Sequence, residues 1–108
     1  MATARAPYDF DAFLTSMTPL DYIEILRRAD AECARAERGL SGRIGLHNPN
    51  LVDVTYARRV REFIFFMRHC IRPASISDYD FENYRPVVEA LVAKGQMPSE
   101  ALTKFGWK

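Results

Sequence analysis

Cysteine, histidine and tryptophan are scarce in this chain, at two, two and one among 108 residues. Cys33 and Cys70 lie far apart, no CxxC or HExxH pattern occurs, and His47 and His69 stand alone. Little is available from which to build a metal site or a disulfide framework. Both cysteines fall on apolar helix faces, where buried free thiols are expected. Glycine-rich phosphate loops and a nucleophile elbow are also missing, and Asp78, Asp80 and Glu82 sit among aromatics with no paired base. They read as a solvated loop, so the chain is expected to have no catalytic activity. No apolar run is long enough to cross a bilayer. Met1 to Pro7 carries one arginine and no acid, short of what a transit peptide needs, so any import signal would be cryptic. The formal net charge of +1, from 15 basic and 14 acidic residues, argues neither for a nucleic-acid partner nor for an acidic tail. Alternating strand patterns are absent too, which leaves helices.

At 48% hydrophobic residues, 108 residues can bury one modest core, hence one domain. The patterning predicts an all-α three-helix bundle over 18–105, with a short N-terminal arm (1–17) and a tail (106–108). In the arm, Phe10, Phe13 and Leu14 are spaced for one or two helical turns against the body. Thr18-Pro19-Leu20-Asp21 reads as a helix start, with a Thr cap, a proline at the first position and an acid in the first turn. That helix is expected to run to Arg38, with Tyr22, Ile25, Leu26, Ala29, Cys33 and Ala36 inward and Gly39 as the stop. Gly39 to Val52 is rich in Gly, Asn and Pro and reads as a loop. Asp53 is expected to cap a second helix that Pro73 closes, and Ser75 to Tyr84 to be a loop or a single turn. Pro86 opens a third helix through Lys94, with Val87, Val88, Leu91 and Val92 inward, Gly95 ending it, and a further short helix over 98–104.

The second helix carries the most information. At about 100° per residue, 54–72 separates into an apolar arc of Tyr56, Ala57, Val60, Phe63, Ile64, Met67, Cys70 and Ile71, and an opposite face with Arg58, Arg61, Arg68 and Arg72 around Phe65. Residues 53–72 hold five arginines against Asp53 and Glu62, so the basic charge is placed rather than diffuse. An aromatic ring within a basic face predicts a partner that is acidic and partly apolar. The plainer alternative is a solvated face, and phosphate tracking along nucleic acid is a weaker one given the near-neutral total. Tyr79, Phe81, Tyr84, Phe105 and Trp107 look like more aromatic surface than a small core absorbs, so some are expected to pack on a neighbouring subunit.

Three segments, in order and spacing, resemble the LYR-motif family of small mitochondrial proteins. Asp21-Tyr22-Ile23-Glu24-Ile25-Leu26-Arg27 stands where the family has Leu-Tyr-Arg and then an apolar-Leu-Arg step; Tyr22, Leu26 and Arg27 fit, whereas Asp21 and Ile23 depart. Ala57-Arg58-Arg59-Val60-Arg61-Glu62-Phe63 is similar to the family's Arg-rich second helix, with Phe63 at a shifted offset. Arg85 to Met97, followed by Glu100-Ala101-Leu102, is similar to the third helix of members on the matrix arm of respiratory complex I.

The resemblance implies a non-catalytic accessory subunit of mitochondrial respiratory complex I, on the matrix side of the inner membrane, that clasps the mitochondrial acyl carrier protein and touches the membrane only through neighbouring subunits. It implies no cofactor of its own, only the partner's acyl-4'-phosphopantetheine. A soluble LYR-type assembly factor for iron–sulfur or respiratory-complex biogenesis, or a subunit of another mitochondrial complex, is the alternative. Carrier contacts would be Tyr22, Arg27, Arg58, Arg59, Arg61, Phe65, Arg68 and Arg72, with the arginines meeting carboxylates and phosphate through charge-assisted hydrogen bonds. Ala29, Cys33, Ala36, Ala57, Val60, Ile64 and Met67 would line an acyl-chain pocket, each buried methylene contributing about 0.8 kcal/mol.

Overall fold

The computed structural model describes the backbone of residues 8–44 and 51–108, and the side chains of 8–38 and 54–108. Six helices and no strand occur among the described residues: α1 (Phe10–Met17), α2 (Tyr22–Ile44), α3 (Leu51–His69), α4 (Asp78–Asn83), α5 (Arg85–Ala93) and α6 (Glu100–Lys104). The all-α class read from the sequence holds, and no described helix is long and apolar enough to cross a membrane.

The N-terminal segment is more than an arm. Asp9 accepts a hydrogen bond from the Ala12 amide as the cap of α1, and Phe10, Phe13, Leu14 and Met17 are all buried. Thr18 and Pro19 do not open the next helix: Thr18 is the C-cap of α1, its amide donating to the Thr15 carbonyl. Pro19 and Leu20 form the link, and their carbonyls accept from Lys94 Nζ at 3.1 and 2.8 Å. The exposed first amide of α2, on Tyr22, donates to Gln96 Oε1 at 2.8 Å. A tertiary contact thus satisfies a group that a local cap was expected to serve. The Lys94-Gly95-Gln96 turn, with Gly95 at φ 73°, is what positions both donor and acceptor.

Helix α2 passes Gly39 without stopping and reaches Ile44. Gly39 and Gly42 each cost the helix about 1 kcal/mol, which a helix of 23 residues absorbs. The expected loop therefore shortens, and its part over 45–50 lies outside the described residues. Asp53 falls within the first turn of α3 rather than at its cap. The far end of α3 comes at His69, before Pro73, because Cys70 takes a left-handed conformation at φ 53° while its amide still bonds the Phe66 carbonyl. Lys104 Nζ then donates to the Cys70 carbonyl at 2.7 Å.

Helices α2 and α3 run antiparallel along a shared seam: Tyr22 reaches Met67, Asp30 reaches Arg68, Glu32 reaches Tyr56, and Glu37 reaches Arg61. The core arc of α3 is Tyr56, Ala57, Val60, Phe63, Phe66 and Met67. It is rotated from the predicted arc, which omitted Phe66 and included Ile71; Phe66 is fully buried and Ile71 is exposed. The rotation follows from α4, whose Phe81 and following Tyr84 face Phe66 at ring separations of 5.7 and 4.9 Å. The C-terminal residues complete this cluster, Phe105 lying 5.3 Å from Phe66 and Trp107 lying 4.9 Å from Phe81. Of the five surplus aromatics, four are absorbed by the chain's own core, and Tyr79 stays exposed. Aromatic pairs at these separations contribute beyond their buried area, by about 0.5–1.5 kcal/mol each.

Candidate docking surface

On the outward side of α3, residues 54, 58, 61, 65, 68 and 69 fall within about a third of a turn of one another. Val54 and Phe65 are each 42% exposed, a large apolar fraction for a helix surface. Phe65 stacks obliquely on His69, with ring centroids 4.7 Å apart. Beside it lies a shallow groove of about 310 Å³, bounded by Arg58, Arg61 and the Pro73–Ser75 segment. An apolar anchor with guanidinium groups around it suits a partner that is apolar at the centre and anionic at the edge.

Each arginine of this face is already paired within the chain. Arg58 donates to Glu62 one turn on, at 2.7 Å. Arg61 reaches across to Glu37 at 2.7 Å, and Arg68 to Asp30 at 2.8 Å. Arg72 pairs with Asp78 at 2.7 Å while its guanidinium covers the Phe81 ring. The basic stripe seen in sequence is therefore locally neutralised; Glu62 is largely buried, whereas the Arg61–Glu37, Arg68–Asp30 and Arg72–Asp78 pairs are solvent-exposed ones of the kind worth about 0–1 kcal/mol. They can exchange partners at low cost.

The other residues expected to touch a carrier do different work. Tyr22 donates its hydroxyl to the Met67 carbonyl at 2.8 Å, satisfying an acceptor in the last turn of α3. Arg27 pairs with Glu24 on its own helix at 2.6 Å. Arg59 turns inward: its Nε and Nη2 both donate to the Asp80 carboxylate, at 2.8 and 2.6 Å, and its guanidinium lies 4.4 Å above the Phe10 ring. That carboxylate raises the Arg59 pKa further against the opposing effect of burial. Asp80, 6% exposed, is thus a buried ion-pair partner and not part of a solvated acidic loop.

Ala29, Cys33, Ala36, Ala57, Val60 and Met67 are buried along the α2–α3 seam, with Ile64 half-buried at its edge. Small residues there let the helices close on one another, and in this state they form core. Burial raises the Cys33 thiol pKa, with Glu37 adding to the effect. At one end of the seam the Tyr56 hydroxyl donates to Glu32, which Arg35 also holds. The Arg35 hydrogen bonds pull the Glu32 pKa down, and the Tyr56 bond adds to this against burial. Tyr84 behaves differently. Its hydroxyl and Glu62 Oε1 are buried with no hydrogen-bond partner. Burial drives the Tyr84 pKa far up, and the charges of Glu62 and Asp80 push the same way.

Sequence reasoning missed the two α2 carboxylates that pair with arginines of α3, Asp30 and Glu37. Their signal was present as a spacing: seven residues separate them, as seven separate Arg61 from Arg68. No protein-family model matches this sequence, and neither a curated protein nor a solved structure is similar to it at a significant level, so the surface itself carries the functional argument.

Proposed function

We propose that this chain is a non-catalytic docking module, a bundle of α2, α3 and α5 braced by short helices, that binds an acidic acyl carrier protein through the outward face of α3. The observation that carries the proposal is Phe65, large, apolar and 42% exposed, between Arg58, Arg61 and Arg68. Single exposed apolar residues are ordinary on a protein surface, and Ile23 and Tyr79 are more exposed; what supports the reading is that Phe65 shares its helix face with Val54 and three arginines. Carriers present a negative surface, and arginine meets carboxylate and phosphate through bidentate hydrogen bonds. The partner's acyl-phosphopantetheine would enter along the α2–α3 seam, whose alanines and Met67 give way more readily than a core of branched residues. Entry requires the two helices to part. Within this proposal the carrier contacts on and just after α3 are Arg58, Arg61, Phe65, Arg68 and Arg72, since Tyr22 and Arg59 are engaged in holding the fold; Arg27, exposed on α2 and paired with Glu24, lies off this face. The resemblance extends the proposal to an accessory subunit on the matrix side of mitochondrial complex I, with a soluble assembly factor as the alternative.

Two measurements test it together. Intact mass spectrometry of the complex purified in mild detergent should reveal a carrier bearing phosphopantetheine, beside respiratory subunits for the subunit reading and without them for the assembly-factor reading. Calorimetric titration with an acyl-loaded carrier should then show Phe65→Ala and the pair Arg61→Glu with Arg68→Glu each weakening binding by about tenfold or more. Equal affinity for wild type and both variants would refute the proposed face.

A further inference from the structure

Arg61 and Arg68 are two turns apart on α3, and the carboxylates they hold, Glu37 and Asp30, are two turns apart on α2. At 1.5 Å per residue each pair spans about 10.5 Å. Both ion pairs are about half exposed, so they lie at the mouth of the seam and not within it. We infer that Glu37 and Asp30 are built-in competitors for the docking surface: they occupy the positions that a partner's carboxylates must take over, and so set the affinity and the spacing requirement of the site. This rests on the docking role proposed above and adds its regulation.

The physical argument is one of exchange. An incoming carboxylate gains a guanidinium only by displacing one that is already satisfied, so each contact contributes the difference between two similar interactions. A partner with a single carboxylate breaks one internal pair for one external one and gains little. A partner whose acids are about 10.5 Å apart replaces both pairs while covering Phe65, and the apolar burial then supplies the net affinity. Discrimination arises because the surface is already neutral for any partner that does not fit.

Neutralising the competitors should therefore tighten binding. Glu37→Gln and Asp30→Asn keep side-chain size and helix position while releasing Arg61 or Arg68. With exposed pairs worth up to about 1 kcal/mol, each variant should lower the Kd of an acyl-loaded carrier protein by about two- to fivefold, and the double variant by the product. Glu100→Gln makes the same change in net charge at an exposed position on α6 and should leave Kd unchanged. Unchanged or weaker binding by Glu37→Gln and Asp30→Asn, with wild type binding normally, would overturn the inference and mean that the α2 acids position the arginines. Equal tightening by Glu100→Gln would also overturn it, since general charge would then be the cause. No binding by wild type or any variant would instead remove the docking proposal itself.

Discussion

Replacing Arg59 by alanine should destabilise the fold severely, although sequence patterning places this residue among surface arginines. Asp80 is 6% exposed and both its carboxylate oxygens are held by Arg59, at 2.6 and 2.8 Å. Removal of the guanidinium leaves a buried carboxylate with no other ion pair among the described residues, and breaking such a pair costs about 3–5 kcal/mol. The stacking over Phe10 is lost as well. For a chain of this size, whose unfolding entropy near 60 °C is about 2.1 cal/mol/K per residue, that loss corresponds to a fall in Tm of roughly 13–22 °C. Urea denaturation followed by circular dichroism should give the same loss as a shifted midpoint with little change in slope. Asp80→Ala should cost less, because Arg59 keeps a quarter of its side chain in solvent and has Asp11 at 3.8 Å. The double variant Arg59→Met with Asp80→Leu should recover most of the stability, as apolar replacements of buried pairs do. A loss below about 1 kcal/mol for Arg59→Ala would refute the buried-pair reading and return Arg59 to the set of free surface contacts.

Burial raises the pKa values of Tyr56 and Tyr84, so the folded state holds these phenolic protons more tightly than the unfolded chain. Their contribution to stability is complete below the ordinary tyrosine value near 10 and declines as pH rises beyond it, so alkaline unfolding and ionisation of these two tyrosines should coincide in ultraviolet titration. Tyr84→Phe removes a buried hydroxyl that has no partner, and should leave neutral-pH stability within about 1 kcal/mol of wild type while moving the alkaline midpoint upward. Ionisation of all tyrosines at ordinary pH without unfolding would contradict the packing. Trp107→Ala should cost about 3–5 kcal/mol, because the indole is buried against Phe81 and donates to Glu82, whereas a residue that served only an intersubunit contact would leave monomer stability unchanged. Thermal melts of the isolated chain decide between the two.

Helical class and most of the core follow from periodicity alone: Ile25, Ala29, Cys33 and Ala36 repeat at the spacing that a half-buried helix demands, and Val87, Val88 and Leu91 do the same for α5. Gly95 as a stop was equally legible, since its left-handed φ is a local requirement. Helix ends were less so. Thr18-Pro19 has the local chemistry of a start, yet α2 begins at Tyr22 because Gln96 and Lys94, more than seventy residues away in sequence, supply its cap and clamp its link. The arc of α3 widened to take in Phe66 for a related reason: periodicity places Phe65 opposite the core and Phe66 only at the arc's edge, and Phe81, Tyr84, Phe105 and Trp107 enclose the Phe66 ring.

The sequence by itself determined that this protein is built of helices and that one of them concentrates arginine beside a large aromatic ring. Only the tertiary structure decided how the charges are used. Arg59 and Asp80 are buried together, Arg61 and Arg68 are satisfied from α2, and Phe65 alone among the large rings of α3 is left uncovered. Periodicity is a property of one segment and can be read along it, whereas the pairing of two charges depends on a distance that exists only once the helices have packed.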